Sequence, residues 1–124
     1  MKLHPSQVTE DSLASMGKEA CTMLIEHDYS GLAERFGYAL SYNRIPEAAI
    51  EEDFLLATSA TKRMVESKPP SIFVKYFEPN DTGLYAVVEC NIPISSQSSV
   101  ALELIITGNA EKHITLEGIS GSEK

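Results

Sequence analysis

Lys68-Pro69-Pro70-Ser71-Ile72-Phe73-Val74-Lys75-Tyr76-Phe77-Glu78 is the stretch at which the chain changes its period. The paired prolines push the backbone out of helical geometry and close whatever helix precedes them. From Ser71 onward Ile72, Val74 and Tyr76 alternate with Phe73, Lys75 and Phe77, which predicts a strand over Ser71 to Glu78. Asn80-Asp81-Thr82-Gly83 has the composition of a hairpin turn, and a second strand follows from Leu84 to Ile92. Its alternation places Leu84, Ala86, Val88, Cys90 and Ile92 on one face and Tyr85, Val87, Glu89 and Asn91 on the other. Pro93 and the polar run Ser95 to Ser99 end that strand. A third runs from Val100 to Thr107, and Gly108-Asn109 turns it into a fourth from Lys112 to Ile119. Short connections in succession imply an antiparallel meander of about four strands.

Upstream of the prolines the period is helical. Thr9 or Asp11 caps a first helix from about residue 10 to His27, with Leu13, Met16, Ala20, Met23 and Leu24 on one stripe. Asp28 caps a second, in which Tyr29, Leu32, Ala33, Phe36, Ala39 and Leu40 recur. After the break at Asn43-Arg44-Ile45, Pro46 suits the first turn of a third helix, whose apolar side is Ala49, Ile50, Phe54, Ala57 and Met64. Helices first and strands second, with the helices covering the apolar sheet face, is an α+β domain. Residues 1–9 read as a flexible arm, 10–119 as one domain and 120–124 as a disordered tail.

Length and composition agree with one core: 124 residues, 43% hydrophobic and 23% charged. The net charge of −8 disfavours nucleic acid, whose phosphates require clustered Lys and Arg. The acidity is uneven, because ten acids between Glu10 and Asp53 face only Lys18, Arg35 and Arg44. Such a face serves solubility or steers a basic partner. Cys21 and Cys90 sit in apolar stretches and read as small buried hydrophobes, with a disulfide between them left open. The N-terminus lacks the apolar core of a secretory signal and no run reaches membrane-spanning length, so a cytoplasmic protein without membrane contact is expected.

No nucleophile motif, metal-ligand spacing or phosphate loop is present, and neither cofactor, metal nor catalytic residue is expected. His27-Asp28 reads as a partly buried His beside a capping Asp, with an acid/base pair as the sharper alternative. Glu47, Glu51, Glu52 and Asp53 form the densest acidic cluster, a solvated helix face or a docking surface for Lys and Arg. The outer sheet face, with Phe73 and Tyr85, carries more aromatic surface than a solvated face needs.

On Ala20, Leu24, Ile25, Asp28, Tyr29 and Leu32 along the first two helices, on Asp53-Phe54 and on the closing strand Ile114-Thr115-Leu116-Glu117-Gly118-Ile119, the chain resembles the nuclear-transport-factor-2-like superfamily. That resemblance implies a cystatin-like, cone-like architecture, with N-terminal helices packed on a curved antiparallel sheet. Catalytic members line the cone with Asp, Tyr or His. Here His27, Asp28, Tyr29 and Tyr38 are the polar residues available for such a lining, and the aliphatic inner sheet face departs from the enzymes. In its short, acidic, single-domain character the chain is similar to bacterial immunity proteins that neutralise polymorphic or contact-dependent growth-inhibition toxins. The expectation is a non-catalytic binding protein that blocks a basic toxin domain, a nuclease among the candidates. Its contacts are then Glu47, Glu51, Glu52 and Asp53, with Phe73 and Tyr85 as a second surface. The alternatives are a ligand-binding or catalytic cone and a homodimer formed through the outer sheet.

Overall fold

The computed structural model describes residues 2–58, 69–95 and 98–123. Among them the elements are β1 (Lys2–Leu3), α1 (Glu10–Ile25), α2 (Tyr29–Phe36), α3 (Pro46–Thr58), β2 (Ser71–Tyr76), β3 (Leu84–Ser95), β4 (Ser98–Thr107) and β5 (Lys112–Glu123). Single 3-10 turns occur at Pro5–Gln7 and Ala39–Ser41. The strands form one antiparallel sheet in the order β1-β5-β4-β3-β2. The architecture is α+β, as the switch of period at the prolines predicts, with five strands rather than about four.

The additional strand comes from the segment expected to be a flexible arm. Lys2 pairs with His113 and Leu3 with Lys112, and Leu3 is buried. The tail expected to be disordered is also paired, with Ser120 opposite Ala101 and Gly121 opposite Val100. Backbone pairing does not need a hydrophobic period, so a polar Ser-Gly segment can complete a ladder that β4 leaves open. Pro93, expected to end its strand, lies within β3 beyond Asn91, the last residue paired to β2. There β3 has a neighbour on one side only, the edge-like setting that tolerates proline.

The helices lie on one face of the sheet. α1 packs over β2 and β3, α3 over β5 with an edge on β4, and α2 joins the two. Val88, Ile92, Leu102, Leu104, Ile106, Ile114 and Leu116 fill the layer between them, and among the described residues no polar or charged residue is buried. The approach of α1 is set by Gly17: a Cβ there would lie 2.9 Å from Val88 Cγ1 and 3.1 Å from Cys90 Sγ. Cys21, one turn further along α1, is likewise buried, and both cysteines are free thiols. A hydrogen bond with Cys21 and then burial push the Cys90 thiol far above its ordinary pKa. Both side chains lie in the hydrophobic core as the small hydrophobes expected.

Helix ends follow their caps. The Thr9 hydroxyl accepts from Ser12 N at 3.2 Å, and the Asp28 carboxylate accepts from Gly31 N at 3.0 Å. α1 stops at Ile25, two residues before the expected end, because His27 takes φ 60°. His27 N donates to Leu24 O at 3.1 Å and Asp28 N to Met23 O at 2.8 Å, the paired bonds of a left-handed helix stop. α2 ends at Phe36, since Gly37 turns the chain with φ 72° before Ala39 and Leu40. The expected extension of the third helix to Met64 lies outside the described residues.

Candidate interaction surface

Phe54-Leu55-Leu56 explains why α3 has two apolar sides. Successive helical residues turn by about 100°, so three apolar residues in a row cannot all face the core. Ala49, Ile50 and Phe54 are buried, whereas Leu55 is 55% exposed and Leu56 66%. Ile45, immediately before the first turn, is 69% exposed, and Tyr42 is 73% exposed. Glu47, Glu51 and Glu52 are exposed on the same helix. Pro46–Thr58 contains no Lys or Arg, and Lys62 and Arg63 fall outside the described residues. The surface of α3 is therefore apolar and acidic together.

Asp53, grouped with those glutamates in the sequence, does not share their face. Its carboxylate accepts the Tyr38 hydroxyl at 2.5 Å and both terminal nitrogens of Arg44, at 3.0 and 3.3 Å. Burial works against the Asp53 charge, but the hydrogen bonds from Arg44 and Tyr38 and the Arg44 charge outweigh it and hold its pKa below the ordinary value. Burial first, then the hydrogen bond to Asp53, drives the Tyr38 phenol well above its usual range. Arg44 also donates from Nε to Ser41 O at 2.8 Å and from Nη2 to Leu40 O at 2.6 Å. Asp53 is thus an internal tie. Of the four acids expected at a partner surface, Glu47, Glu51 and Glu52 are exposed, and Glu52 forms an ion pair with Arg44 at 3.4 Å.

The four residues expected to line a cone do not converge. His27 is exposed at its left-handed stop and not partly buried; its Nδ1 lies 2.6 Å from the Tyr29 hydroxyl. Both rings flank Phe54, with centroids at 6.1 and 6.4 Å, so this aromatic cluster joins the α1–α2 junction to α3. Burial, then the Glu51 charge, raises the Tyr29 pKa. Asp28 is occupied as a cap, and Tyr38 is only 6% exposed, bridging Leu116 on β5. A polar lining between helices and sheet is not what these side chains build.

On the opposite sheet face Phe73 stands on edge strand β2 and is 60% exposed, as expected there. Tyr85 is not beside it. A register shift between Leu84 and Ala86 inserts Tyr85 as an extra residue, which packs edge-on against Tyr76 at 5.5 Å and takes the Lys112 ammonium 4.6 Å above its ring. Tyr76 lies opposite Ala86 on the helix-covered face, so the bulge has turned Tyr85 away from the outer surface. Outside, Glu89 is directly opposite Glu103; burial, then the charges of Glu89 and Glu117, raises the Glu103 pKa. Among the described residues no group of three or more His, Cys, Asp or Glu has the arrangement of a metal site. No described helix is long and apolar enough to cross a membrane.

The residues that sequence reasoning missed are Ile45, Leu55 and Leu56, while Tyr42, read as a polar donor on the second helix, stands exposed in a turn beyond it. The run Phe54-Leu55-Leu56 was the available signal for the leucines. Comparison of the chain with protein-family models, with curated proteins and with solved structures returned no match, so the site is interpreted from its own geometry.

Proposed function

We propose that the protein is a non-catalytic binding domain of cone-like, nuclear-transport-factor-2-like character that acts as a bacterial cytoplasmic immunity protein, neutralising a basic toxin domain by covering its active site. The observation that carries this reading is the α3 surface, where exposed Glu47, Glu51 and Glu52 accompany exposed Ile45 and Leu55. Carboxylates around apolar side chains suit a partner whose Lys and Arg surround an apolar patch. A nuclease presents that sign of charge to phosphates, and an acidic helix can occupy the same field. The aliphatic layer between helices and sheet supports recognition over a reaction in a cone. Co-expression with basic nuclease toxin domains, beginning with any encoded beside this chain's gene, tests the proposal. Growth restored together with a salt-sensitive complex is the expected result; undiminished toxicity with no complex contradicts it.

A further inference from the structure

Tyr42 and Asn43 both adopt positive φ, 43° and 63°, a region that asparagine enters readily and tyrosine only at a cost. Two such residues in succession need to be held. Arg44 holds them: it bonds to the carbonyls of Leu40 and Ser41 on one side of the turn and grips Asp53 of α3 on the other. Asp53 in turn accepts the hydroxyl of buried Tyr38, whose backbone bridges β5. The turn is therefore fastened to both a helix and the sheet. What this fastening presents is a Tyr42 ring 73% exposed, outside the hydrophobic core, three residues before the equally bare Ile45. Strain here gives no return in packing, and strained positions that persist are often tied to binding.

We propose that the Ser41–Ile45 turn is a preformed anchor for a basic protein surface. The Tyr42 ring receives a partner's Lys or Arg, Ile45 meets its apolar side chains, and Glu47 and Glu51 form the acidic rim. The anchor rests on the α3 reading and adds its energetic centre. Charge selects this occupant. A second copy related by a twofold axis would bring Glu47, Glu51 and Glu52 of both molecules together, and a phosphate-bearing ligand would meet the same carboxylates. Arg44, the one cation within the turn, is neutralised by Asp53. A turn held in its bound shape also loses little freedom on association.

Titration of the isotope-labelled protein with an amphipathic peptide of alternating arginine and leucine, followed by amide chemical shifts, tests the anchor. Perturbations centred on Tyr42–Ile45 and the exposed side of α3 are expected. Tyr42→Ala weakens binding about tenfold or more, Tyr42→Phe retains it, and Glu78→Gln on the β2–β3 connection leaves it unchanged. Tyr42→Gly, which relaxes the backbone, weakens binding with no fall in melting temperature, separating the ring's role from folding. If Glu47→Gln and Glu51→Gln weaken binding while Tyr42→Ala does not, the anchor is overturned and the α3 reading stands. Perturbations centred on Glu89, Glu103 and Glu117, or no binding, overturn both.

Discussion

Asp53 holds three parts of the protein together through one carboxylate. Because its pKa lies below that of an unfolded aspartate, its contribution to stability is fully present above about pH 4 and is lost as pH falls through its folded value. Tyr38 works at the other extreme. Its raised pKa means that its contribution is complete below about pH 10 and is lost as the pH rises through the folded value. Thermal melts across pH should show wild-type stability falling in both limbs. Asp53→Asn should lower the melting temperature at neutral pH and flatten the acid limb; Tyr38→Phe should flatten the alkaline one. An acid limb unchanged in Asp53→Asn would contradict the tie. Asp28 was legible because a cap acts within three residues, whereas Asp53 binds Arg44 nine positions and Tyr38 fifteen positions away. The turn of about 100° per residue already rotates Glu52 and Asp53 away from Glu47 and Glu51, but it could not tell that Asp53 meets Arg44 and Tyr38.

At the scale of elements, the two hydrophobic periods identified the helices and the main strands, since each period reports which face is buried. What they could not report were single-residue events. One inserted residue at Leu84/Ala86 reverses the side to which Tyr85 points, and one left-handed residue at His27 stops α1. Paired ends were equally silent: β1 and the last residues of β5 hold by backbone bonds with little apolar pattern. Gly17 is a third case, a helix residue whose value lies in the sheet beneath it. An alanine there gains about 1 kcal/mol in helix propensity but drives its Cβ into Val88, Ile72 and Cys90, which are too tightly placed to yield freely. Gly17→Ala should therefore destabilise the protein by about 1–2 kcal/mol in a denaturant titration. A stabilised variant would mean that α1 sits further from β3 than described.

For the molecule as a whole, the two faces divide the labour. The helix-covered face of the sheet is aliphatic over most of its area and supplies the core, while the net charge of −8 is carried outside it, with α3 contributing Glu47, Glu51 and Glu52 to an exposed acidic-apolar surface. The sign of the charge was readable from composition and its uneven placement from the order of residues. The apolar half was readable only in part: the run Phe54-Leu55-Leu56 requires an outward leucine, but which residues are exposed depends on the side of α3 that the sheet occupies. The field of such a face is screened by salt over about 8–10 Å near physiological ionic strength, so docking of a basic partner should be strongly salt-dependent. The direct measurement is calorimetric affinity for the arginine–leucine peptide, compared between wild type and the Glu47→Gln, Glu51→Gln, Glu52→Gln triple variant as salt rises from about 50 to 200 mM. The predicted result is wild-type binding that weakens steeply with salt, and a triple variant that binds about tenfold or more weakly at low salt, with a flatter dependence. Equal affinity and equal salt dependence in the two proteins would contradict recognition through α3.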